Sequence, residues 1–326
     1  MRPDSSIFVA GHRGLVGSGI VRKLASCRYT HLLTRTHAEL DLTDAEAVFR
    51  YFETHRPEYV FLAAAKVGGI LANQTYPGDF IRENLAIQSN VIEASRRVGV
   101  RRLLFLGSSC IYPRDCPQPI KEEYLLTGPL ETTNRAYAVA KIAGIEMCRS
   151  YNQQYGTAYL SIMPTNLYGP GDNFDLATSH VLPALLRKVH EAKSEARTSI
   201  TVWGTGTPRR EFLYSDDLAD AAVFLMNLPD AAFQHACQLD PPLLNVGCGE
   251  DLTIRELVGL VMDTVGYRGS VEYDHSKPDG TPRKLLDVSR MRLLGWSPRT
   301  PLREGLALFY RAFLKEHAHG AAPHHA

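Results

Sequence analysis

The sequence predicts an α/β fold in which a doubly wound parallel sheet carries a smaller α+β domain. Between residues 43 and 107, segments with helical periodicity alternate with short apolar runs, which is typical of parallel sheets covered by helices on both faces. A glycine-rich turn joins the first apolar run to the first amphipathic segment. The chain has 326 residues, more than one domain usually contains, so we expect a second unit.

Charge and cysteine content indicate which binding partners and which cellular compartment to expect. The formal net charge is +1, without a polybasic stripe for nucleic acid or for an acidic membrane. The first apolar run, residues 7–10, is too short for a signal peptide, and no later run is long enough to span a membrane. Six cysteines show no Cys-x-x-Cys and no metal-finger spacing, which suits a reducing compartment. We expect a cytoplasmic protein without a metal site and without a nucleic-acid or membrane partner.

The first predicted strand leads directly into a glycine loop. Residues 6–10 form an apolar run, and Gly11, Gly14 and Gly17 follow before a helix that reaches about Ala25. Glycine lets the backbone turn tightly and approach a pyrophosphate, whose charge the helix N-terminus stabilises. The G-x-x-G-x-x-G spacing therefore predicts a dinucleotide site; a tight turn without a ligand is the alternative.

A second predicted strand, residues 31–34, ends at Arg35. NAD-binding folds place an acid at this point against the ribose 2′-hydroxyl, and no acid stands here. Arg13 and Arg35 would offer two guanidinium groups to a 2′-phosphate, so we expect NADP rather than NAD. Two solvated arginines are the alternative. Asp41, followed by Leu42, stands where a carboxylate would accept a hydrogen bond from the adenine amino group.

The later strands of the first half end in small residues. Helical segments at residues 45–55 and 80–98 alternate with buried strands at residues 59–65 and 102–107. Ligands of such sheets bind at the carboxyl ends of the strands. Ser108, directly after the fourth strand, is suited to hydrogen-bond a substrate carbonyl, and a turn cap is the alternative.

The segment from Thr132 to Lys141 predicts the start of a helix with a catalytic pair. Tyr137 and Lys141 are four residues apart, which places both side chains on one helical face. An ammonium group beside a phenol favours the phenolate and lowers the pKa of the tyrosine. The pair would therefore act as an acid or base at a carbonyl.

The second half predicts a substrate domain. A strand at residues 160–163 precedes a Gly/Pro-rich run, so we place a dinucleotide-binding domain at residues 1–166 and a mainly substrate-binding domain at residues 167–326. Returns to the first domain near residues 211–247 make both domains discontinuous. For Lys188 a solvated helix face is the alternative to phosphate contact. The polar candidates in this half are Lys188, Trp203, Arg210 and Asp279, with Arg283 as an extension.

The glycine loop, the strand end at Ser108 and the Tyr137–Lys141 pair, in this order, resemble the extended short-chain dehydrogenase/reductase family. The resemblance runs from residue 6 to about residue 314 and implies a Rossmann-like sheet. Within the family, the sequence is similar to epimerase-reductases that convert GDP-4-keto-6-deoxy-D-mannose to GDP-L-fucose. The similar stretches are GHRGLVG, AAAKVGGILANQTYP, LGSSCIYP, AYAVAKIAGI, MPTNLYGP, SHVLPALLRK, WGTGTPRREFL and KPDGTPRKLLD.

The resemblance implies catalytic roles for five residues. Tyr137 would be the general acid at the C4 oxygen, Lys141 would lower its pKa and hold the nicotinamide ribose, and Ser108 would hydrogen-bond the same sugar oxygen. Cys110 and His180 would be acid and base in the epimerisations at C3 and C5, whose protons the C4 ketone acidifies. From the residues alone, Cys110 also suits a small buried hydrophobe and His180 a structural histidine.

The same resemblance implies binding residues. NADPH would reduce C4 of the inverted sugar, and a homodimer would form through long helices such as residues 80–98 and 137–155. Family members often carry a basic residue two positions after Arg35, where this chain has His37, so the preference for NADP rests on Arg13 and Arg35. The resemblance implies substrate contacts for Lys188 and Asp279. From their side chains, we expect Trp203 to pack on the sugar or the base and Arg210 to pair with the diphosphate. The implied cofactor contacts are Gly11, His12, Arg13, Gly14, Leu15, Val16, Gly17, Arg35, Asp41, Leu42, Leu106, Gly107, Lys141, Pro164, Asn166, Leu167 and His180.

The sequence leaves two alternative functions to be considered. A nucleotide-sugar epimerase or dehydratase of the same superfamily would recycle tightly held NAD, against which the two arginines argue. A dehydratase would also carry an acid pair where Ser109 and Cys110 stand. A non-enzymatic NADP sensor would tend to lose the tyrosine–lysine pair, which is intact here. The His-containing tail from His317 predicts no function.

Overall fold

The computed structural model describes residues 1–176, 178–277 and 279–318, so residues 319–326 of the His-containing tail lie outside the described residues. The strands are β1 (Ile7–Ala10), β2 (Leu32–Leu33), β3 (Tyr59–Leu62), β4 (Arg102–Leu106), β5 (Tyr159–Pro164), β6 (Asn166–Tyr168), β7 (Ser199–Trp203), β8 (Arg209–Arg210), β9 (Phe212–Tyr214), β10 (Leu243–Val246), β11 (Leu252–Thr253), β12 (Ser270–Asp274) and β13 (Arg283–Lys284). The helices are α1 (Leu15–Ser26), α2 (Ala45–His55), α3 (Ile70–Thr75), α4 (Pro77–Val98), α5 (Arg135–Tyr155), α6 (Val181–Ser194), α7 (Ser215–Met226), α8 (Asp230–Cys237), α9 (Ile254–Val265), α10 (Ser289–Leu293) and α11 (Leu302–Ala318). Among the helices of these described ranges, none is long and apolar enough to cross a bilayer.

Six strands form one parallel sheet in the order β10-β5-β4-β3-β1-β2. β1 and β3 are apolar and buried along their whole length, because helices cover both faces of the sheet. Successive residues of β1 enter separate cores: Phe8 packs with Phe52 of α2, and Val9 belongs to the core that contains Ile20 of α1. The doubly wound parallel sheet that the sequence predicts is therefore confirmed.

The second half of the chain packs around a third core and three small sheets. β6 pairs with β9, β7 pairs with β12, and β8 lies between β11 and β13. The third core joins α6, α9 and α11 through residues such as Leu186, Val261 and Phe309. The chain comes back to the main sheet through α7, which packs on α1, and through β10 at the sheet edge. The domain boundary near residue 166 stays a prediction.

Several element boundaries differ from the expectations. The helix predicted from Thr132 begins at Arg135, because the three preceding residues form a 3-10 turn. The helix predicted from Phe80 begins at Pro77, whose missing N–H group suits the first helical turn. The similar stretch SHVLPALLRK contains the start of α6, which begins at Val181, and His180 precedes it with extended backbone. β2 and β3 are shorter than predicted, because their last residues leave the sheet as loops.

The loop between β6 and α6, which leads to His180, contains a buried carboxylate. Asp172 Oδ1 accepts a hydrogen bond of 2.8 Å from the Asn173 N–H group. Asp172 Oδ2 is buried and has no hydrogen-bond partner among the described residues. Burial raises the pKa of Asp172 to about 7, and the Glu316 carboxylate contributes to the rise. Above this pKa, a buried charge without a partner destabilises the loop.

We expect Asp172→Asn to change how stability depends on pH. Because the folded-state pKa is raised, the folded protein binds more protons than the unfolded chain between about pH 4 and about pH 7, and stability falls as pH rises through this window. Asparagine removes that loss, so the melting temperature of the variant relative to wild type should rise from about pH 5 to about pH 8. Asp115→Asn, at an exposed carboxylate, is the control. A difference that stays constant with pH would contradict the assignment.

Candidate active site

The carboxyl edge of the main sheet positions the predicted catalytic residues. β4 ends at Leu106, and a Cβ at Gly107 would lie 2.4 Å from Met163 Cε, so glycine allows β4 and β5 to approach here. Ser108 has extended backbone, and Cys110 follows in a 3-10 turn. The helix α5 packs against this turn and carries the tyrosine–lysine pair to the same edge.

Lys141 is fixed at the end of β4 by a backbone contact. Its Nζ donates a hydrogen bond of 3.0 Å to Leu106 O and lies 4.8 Å from the centre of the Phe105 ring. The same atom lies 5.8 Å from the centre of the Tyr137 ring. Burial lowers the pKa of Lys141 to about 8, and the nearby Cys110 opposes this change. At neutral pH the group is still mostly an ammonium ion.

The net pKa of Tyr137 is raised, and the lowering contribution of Lys141 stays a prediction. Burial is the main cause and the charge of Cys110 adds to it, whereas hydrogen bonding with Ser108 acts in the opposite direction. The Lys141 ammonium cannot offset burial, because it donates to Leu106 O instead of the phenol. Tyr137 therefore keeps its proton at neutral pH, as a general acid must.

Cys110 and His180 both have displaced pKa values. The Cys110 residue is only 6% exposed, and burial raises the pKa of its thiol, while the positive charges of Lys284 and Lys141 oppose the rise. The surrounding protein desolvates the His180 ring and lowers its pKa, and Lys284 lowers it further. His180 nevertheless presents exposed surface. His180 therefore lines a recess, where the ring is close to solvent but is largely surrounded by protein atoms.

Lys284 is a site residue that the sequence did not reveal. β13 pairs in parallel with β8, which places Lys284 opposite Arg210. Burial lowers the pKa of both side chains. Neither forms a salt bridge within the residues that the structure describes, so two cations lie side by side in a desolvated place. Arg210 was predicted from the sequence, whereas no sequence signal marks Lys284, because β13 has two residues and shows no alternation.

The glycine loop after β1 has the geometry of an anion cradle. Gly11 has φ +79°, and a Cβ there would lie 2.8 Å from the backbone of Ala64. A Cβ at Gly17 would lie 2.0 Å from Gly11 O. α1 begins directly after Gly14 without an acidic residue in its first turn. Its free N–H groups and its dipole therefore favour a negative ligand.

Arg35 is held beside the glycine loop by an aromatic ring. Its Nη1 donates a hydrogen bond of 2.7 Å to the preceding carbonyl, and its guanidinium carbon lies 5.2 Å from the centre of the Tyr51 ring. His37, the departure from the family pattern, lies 3.8 Å from Asp41. Asp41 Oδ1 also accepts a hydrogen bond of 2.8 Å from the Thr43 N–H group. One Asp41 oxygen is thus engaged within its own turn.

The remaining residues expected to contact the cofactor lie along the same edge. Pro164 ends β5, and Leu167 belongs to β6, which follows directly. Burial lowers the pKa of His12, and the charge of Arg13 lowers it further. The carbonyl of Leu42 accepts a hydrogen bond of 2.9 Å from Asn90 Nδ2. Contact between these residues and a cofactor stays a prediction.

Trp203 is the centre of an aromatic and cationic group. Its residue surface is 65% exposed, and the Nζ atoms of Lys188 and Lys277 each lie 5.5 Å from the ring centre. Lys277 is not among the residues predicted from the sequence. Asp279 Oδ1 accepts from the Thr205 N–H group at 2.9 Å, and Oδ2 accepts from Thr205 Oγ1 at 2.7 Å. The end of β7, the helix α6 and the segment after β12 thus contribute an exposed aromatic ring, two ammonium groups and a carboxylate to this surface.

Glu211 ties these segments together from the interior. Its buried Oε1 accepts a hydrogen bond of 2.7 Å from the Gly249 N–H group, and Oε2 accepts one of 3.0 Å from the Leu286 N–H group. Its backbone carbonyl accepts a hydrogen bond of 2.8 Å from Asn166 Nδ2. Burial raises the pKa of Glu211. Glu211 therefore joins the start of β6, the loop after β10 and the segment that follows β13.

Arg283 does not support the predicted extension of the substrate site. Its Nε lies 2.5 Å from an oxygen of Asp251, and Arg209 Nε lies 2.9 Å from the other oxygen. Asp251 is buried, so the two arginines stabilise its charge and hold β8 near β13. Within the described ranges, no group of three or more His, Cys, Asp or Glu side chains is arranged for a metal ion.

Comparison with known proteins identifies relatives of the chain. The model of the NAD dependent epimerase/dehydratase family matches residues 7–246. A protein of Oryza sativa subsp. japonica named probable GDP-L-fucose synthase 1 is 56% identical over 310 residues, which cover 95% of this chain and 92% of that protein. The GDP-L-fucose synthase of Escherichia coli (strain K12) is 53% identical over 309 residues, which cover 95% of this chain and 96% of that protein.

A solved structure of similar fold was determined with NADPH present. It is a GDP-D-glycero-L-gluco-heptose synthase from Campylobacter jejuni, crystallised in the presence of NADPH. It is 38% identical, and the superposition has a TM-score of 0.90 over 96% of this chain and 99% of that chain. The similarity therefore includes both the main sheet and the second half of the chain.

We expect Gly17→Ala to destabilise the glycine loop. The added Cβ would overlap Gly11 O at 2.0 Å. The Cβ is attached directly to the backbone of α1 and Gly11 O belongs to the backbone after β1, so the two segments would have to separate. The free energy of unfolding should fall by about 2 kcal/mol or more in urea titrations without ligand. Gly14→Ala is the matched control, because its Cβ would lie at an ordinary 3.5 Å and its φ is −73°. Equal stability of the two variants would contradict the close approach.

Proposed function

The chain belongs to the NAD dependent epimerase/dehydratase family, and we propose that it converts GDP-4-keto-6-deoxy-D-mannose to GDP-L-fucose. It is an NADP-dependent epimerase and reductase, as its relatives indicate. The main support within the site is Ser108, whose hydrogen bonding affects both Tyr137 and Cys110. The proton donor of a reductase and the thiol of an epimerase are thus adjacent.

NADPH supplies a hydride to C4 when it is bound. The glycine loop fits its pyrophosphate, because no Cβ separates the backbone from a ligand and the start of α1 attracts negative charge. Arg35 stands where an NAD-binding fold has an acid, and its stacking on Tyr51 presets its position for the 2′-phosphate. Arg13, exposed in the glycine loop, would provide a second cation.

Tyr137 is the proton donor of the reduction in this mechanism. Burial keeps the phenol protonated by raising its pKa, so a proton is available for the C4 oxygen as hydride reaches C4. Ser108 donates a hydrogen bond to the same oxygen. The ammonium of Lys141, 5.8 Å from the Tyr137 ring centre, stabilises the phenolate left behind. A proton from solvent then restores the tyrosine.

Cys110 and His180 act on C3 and C5 before the reduction. The C4 ketone acidifies the protons on both carbons, and loss of one proton gives an enolate that Ser108 and Tyr137 can hydrogen-bond. A proton returned to the opposite face inverts the carbon, so each inversion needs one base and one acid. Reduction at C4 afterwards removes the ketone and prevents reversal.

The GDP portion of the substrate is held by the second half of the chain. Arg210 and Lys188 are partly desolvated cations, and burial lowers their pKa values, so a diphosphate would restore favourable interactions. The open face of Trp203 can pack on the base or the sugar. Asp279 would accept hydrogen bonds from the substrate when it gives up those from Thr205.

The proposal extends to a cytoplasmic homodimer. The long helices α4 and α5 pack side by side, and Val139 and Tyr155 of α5 expose side chains that a second copy would cover. All six cysteines are free thiols, which suits a reducing compartment.

Tyr137→Phe should retain NADPH binding and lose reduction. Phenylalanine keeps the ring and its edge contact with Phe80, whose ring centre is 6.3 Å away, and removes only the proton donor. With GDP-4-keto-6-deoxy-D-mannose, kcat for NADPH oxidation should fall by about a hundredfold or more. The Kd for NADPH, measured by fluorescence, should change by less than about threefold. Tyr155→Phe, at the exposed end of the same helix, is the control. Wild-type turnover in Tyr137→Phe would remove this residue from the mechanism.

A further inference from the structure

Gly68, in the loop between β3 and α3, lies against the aromatic ring that faces Tyr137. A Cβ at Gly68 would lie 3.1 Å from Phe80 Cζ. Phe80 is 2% exposed, and its ring contacts that of Tyr137 edge-on, with 6.3 Å between the ring centres. Buried side chains are closely packed, so a shift of one displaces its neighbours. The position of Gly68 is therefore coupled through Phe80 to the proton donor of the proposed reduction.

The next residue, Gly69, lies against the segment that leads to His180. A Cβ at Gly69 would lie 3.1 Å from Thr178 O and 3.9 Å from Ser179 O. Gly69 has φ −66° and ψ −179°, which any residue can adopt, so the close approach and not the backbone angle favours glycine here. Ser179 directly precedes His180, whose backbone is extended. A movement of Gly69 would therefore move His180.

Asn73 fixes both glycines from the helix α3. Its Nδ2 donates hydrogen bonds of 2.8 Å to Gly68 O and of 3.0 Å to Gly69 O. Its backbone N–H group donates a further hydrogen bond of 3.1 Å to Gly69 O. The residue is 6% exposed, so little water competes for these bonds. One side-chain amide thus uses both of its N–H donors to hold two consecutive carbonyl groups.

The amide oxygen of Asn73 has no corresponding role. Asn73 Oδ1 is buried and has no hydrogen-bond partner among the described residues. A buried oxygen without a partner lowers stability, so stability alone does not explain an amide group at this position. Burial also prevents contact between this oxygen and a substrate. Asn73 therefore acts through the two hydrogen bonds that its Nδ2 donates.

We propose that Asn73 is a positioning residue of the candidate site, which sets the position of His180 relative to Tyr137 by holding Gly68 and Gly69. The inference rests on the proposed function for the roles of His180 and Tyr137. Inversion needs an acid or a base on the correct face of a sugar whose C4 oxygen is hydrogen-bonded to Tyr137. A misplacement of about 1 Å can slow such a step by about a hundredfold.

Loss of this support changes the products and not only the rate. If His180 is displaced while Tyr137 still donates its proton, the C4 ketone is reduced before C3 and C5 are inverted. The hydride of NADPH then goes to C4, the proton of Tyr137 goes to the C4 oxygen, and the product is GDP-D-rhamnose. A general loss of stability lowers the formation of both products together and leaves their ratio unchanged.

The first test is hydrogen exchange of the free protein, measured by mass spectrometry on peptides that contain Ser179. The Ser179 N–H group donates a hydrogen bond of 2.8 Å to Asp175 O, so its exchange reports on the order of this segment. Asn73→Asp keeps the size of the side chain and removes both hydrogen bonds of Nδ2. Exchange should become faster by about threefold or more. Gln74→Glu, the same chemical change at an exposed neighbour, is the control and should have no effect.

The second test is the product ratio with GDP-4-keto-6-deoxy-D-mannose and NADPH, measured by chromatography. In Asn73→Asp, the ratio of GDP-D-rhamnose to GDP-L-fucose should rise by about tenfold or more. Gly69→Ala should shift the ratio in the same direction, because its Cβ presses on Thr178 O at a backbone angle that alanine can adopt. Gly78→Ala is the control, because its Cβ would have no atom within 4 Å. If Asn73→Asp does not fold, Gly69→Ala is measured in both tests.

Three results would overturn the proposal. Unchanged exchange at Ser179 would show that Asn73 does not support the segment before His180. A lower rate with an unchanged product ratio would show a structural role only. A shifted ratio in Asn73→Asp with the wild-type ratio in Gly69→Ala would contradict the route through Thr178. If wild type forms neither product, the proposed function fails, whereas hydrogen exchange still decides whether Asn73 orders this segment.

Discussion

Desolvation of ionisable side chains at the carboxyl edge of the main sheet is the interaction on which the candidate site depends. Burial raises the pKa values of Tyr137 and Cys110 and lowers those of Lys141 and Lys284. Each group is thereby shifted toward its neutral form. Charges in such a place act strongly on one another, because little water screens them. The protonation states of these side chains are therefore sensitive to every charge that a substrate brings.

Buried polar contacts assemble this edge from segments that are distant in sequence. In β10, Asn245 Oδ1 accepts a hydrogen bond of 2.5 Å from Tyr112 Oη, and its Nδ2 donates one of 2.9 Å to Ile120 O. The loop that follows Cys110 is thus attached to the last strand of the sheet. Glu211 makes the corresponding attachment for the strand of Lys284. Networks of this kind favour one arrangement, because each unpaired member would be costly.

Local signals in the sequence predicted the sheet, the glycine loop and the helix of Tyr137, because these elements depend on apolar runs and on fixed residue spacings. Burial and contacts between distant segments could not be predicted, because tertiary structure determines them. Lys284 lies in a two-residue strand, and the position of Lys277 over the Trp203 ring depends on the pairing of β7 with β12. The spacing of Tyr137 and Lys141 also does not report burial, which raises the pKa of Tyr137.

In the proposed mechanism, one site inverts two carbons of a GDP-sugar and then reduces a third. Incubation of the protein with freshly prepared GDP-4-keto-6-deoxy-D-mannose and NADPH, with the product identified by chromatography, tests this mechanism directly. We expect GDP-L-fucose together with consumption of NADPH. Formation of GDP-D-rhamnose would show reduction without inversion and would contradict the roles of Cys110 and His180. Absence of NADPH consumption would contradict the proposed function.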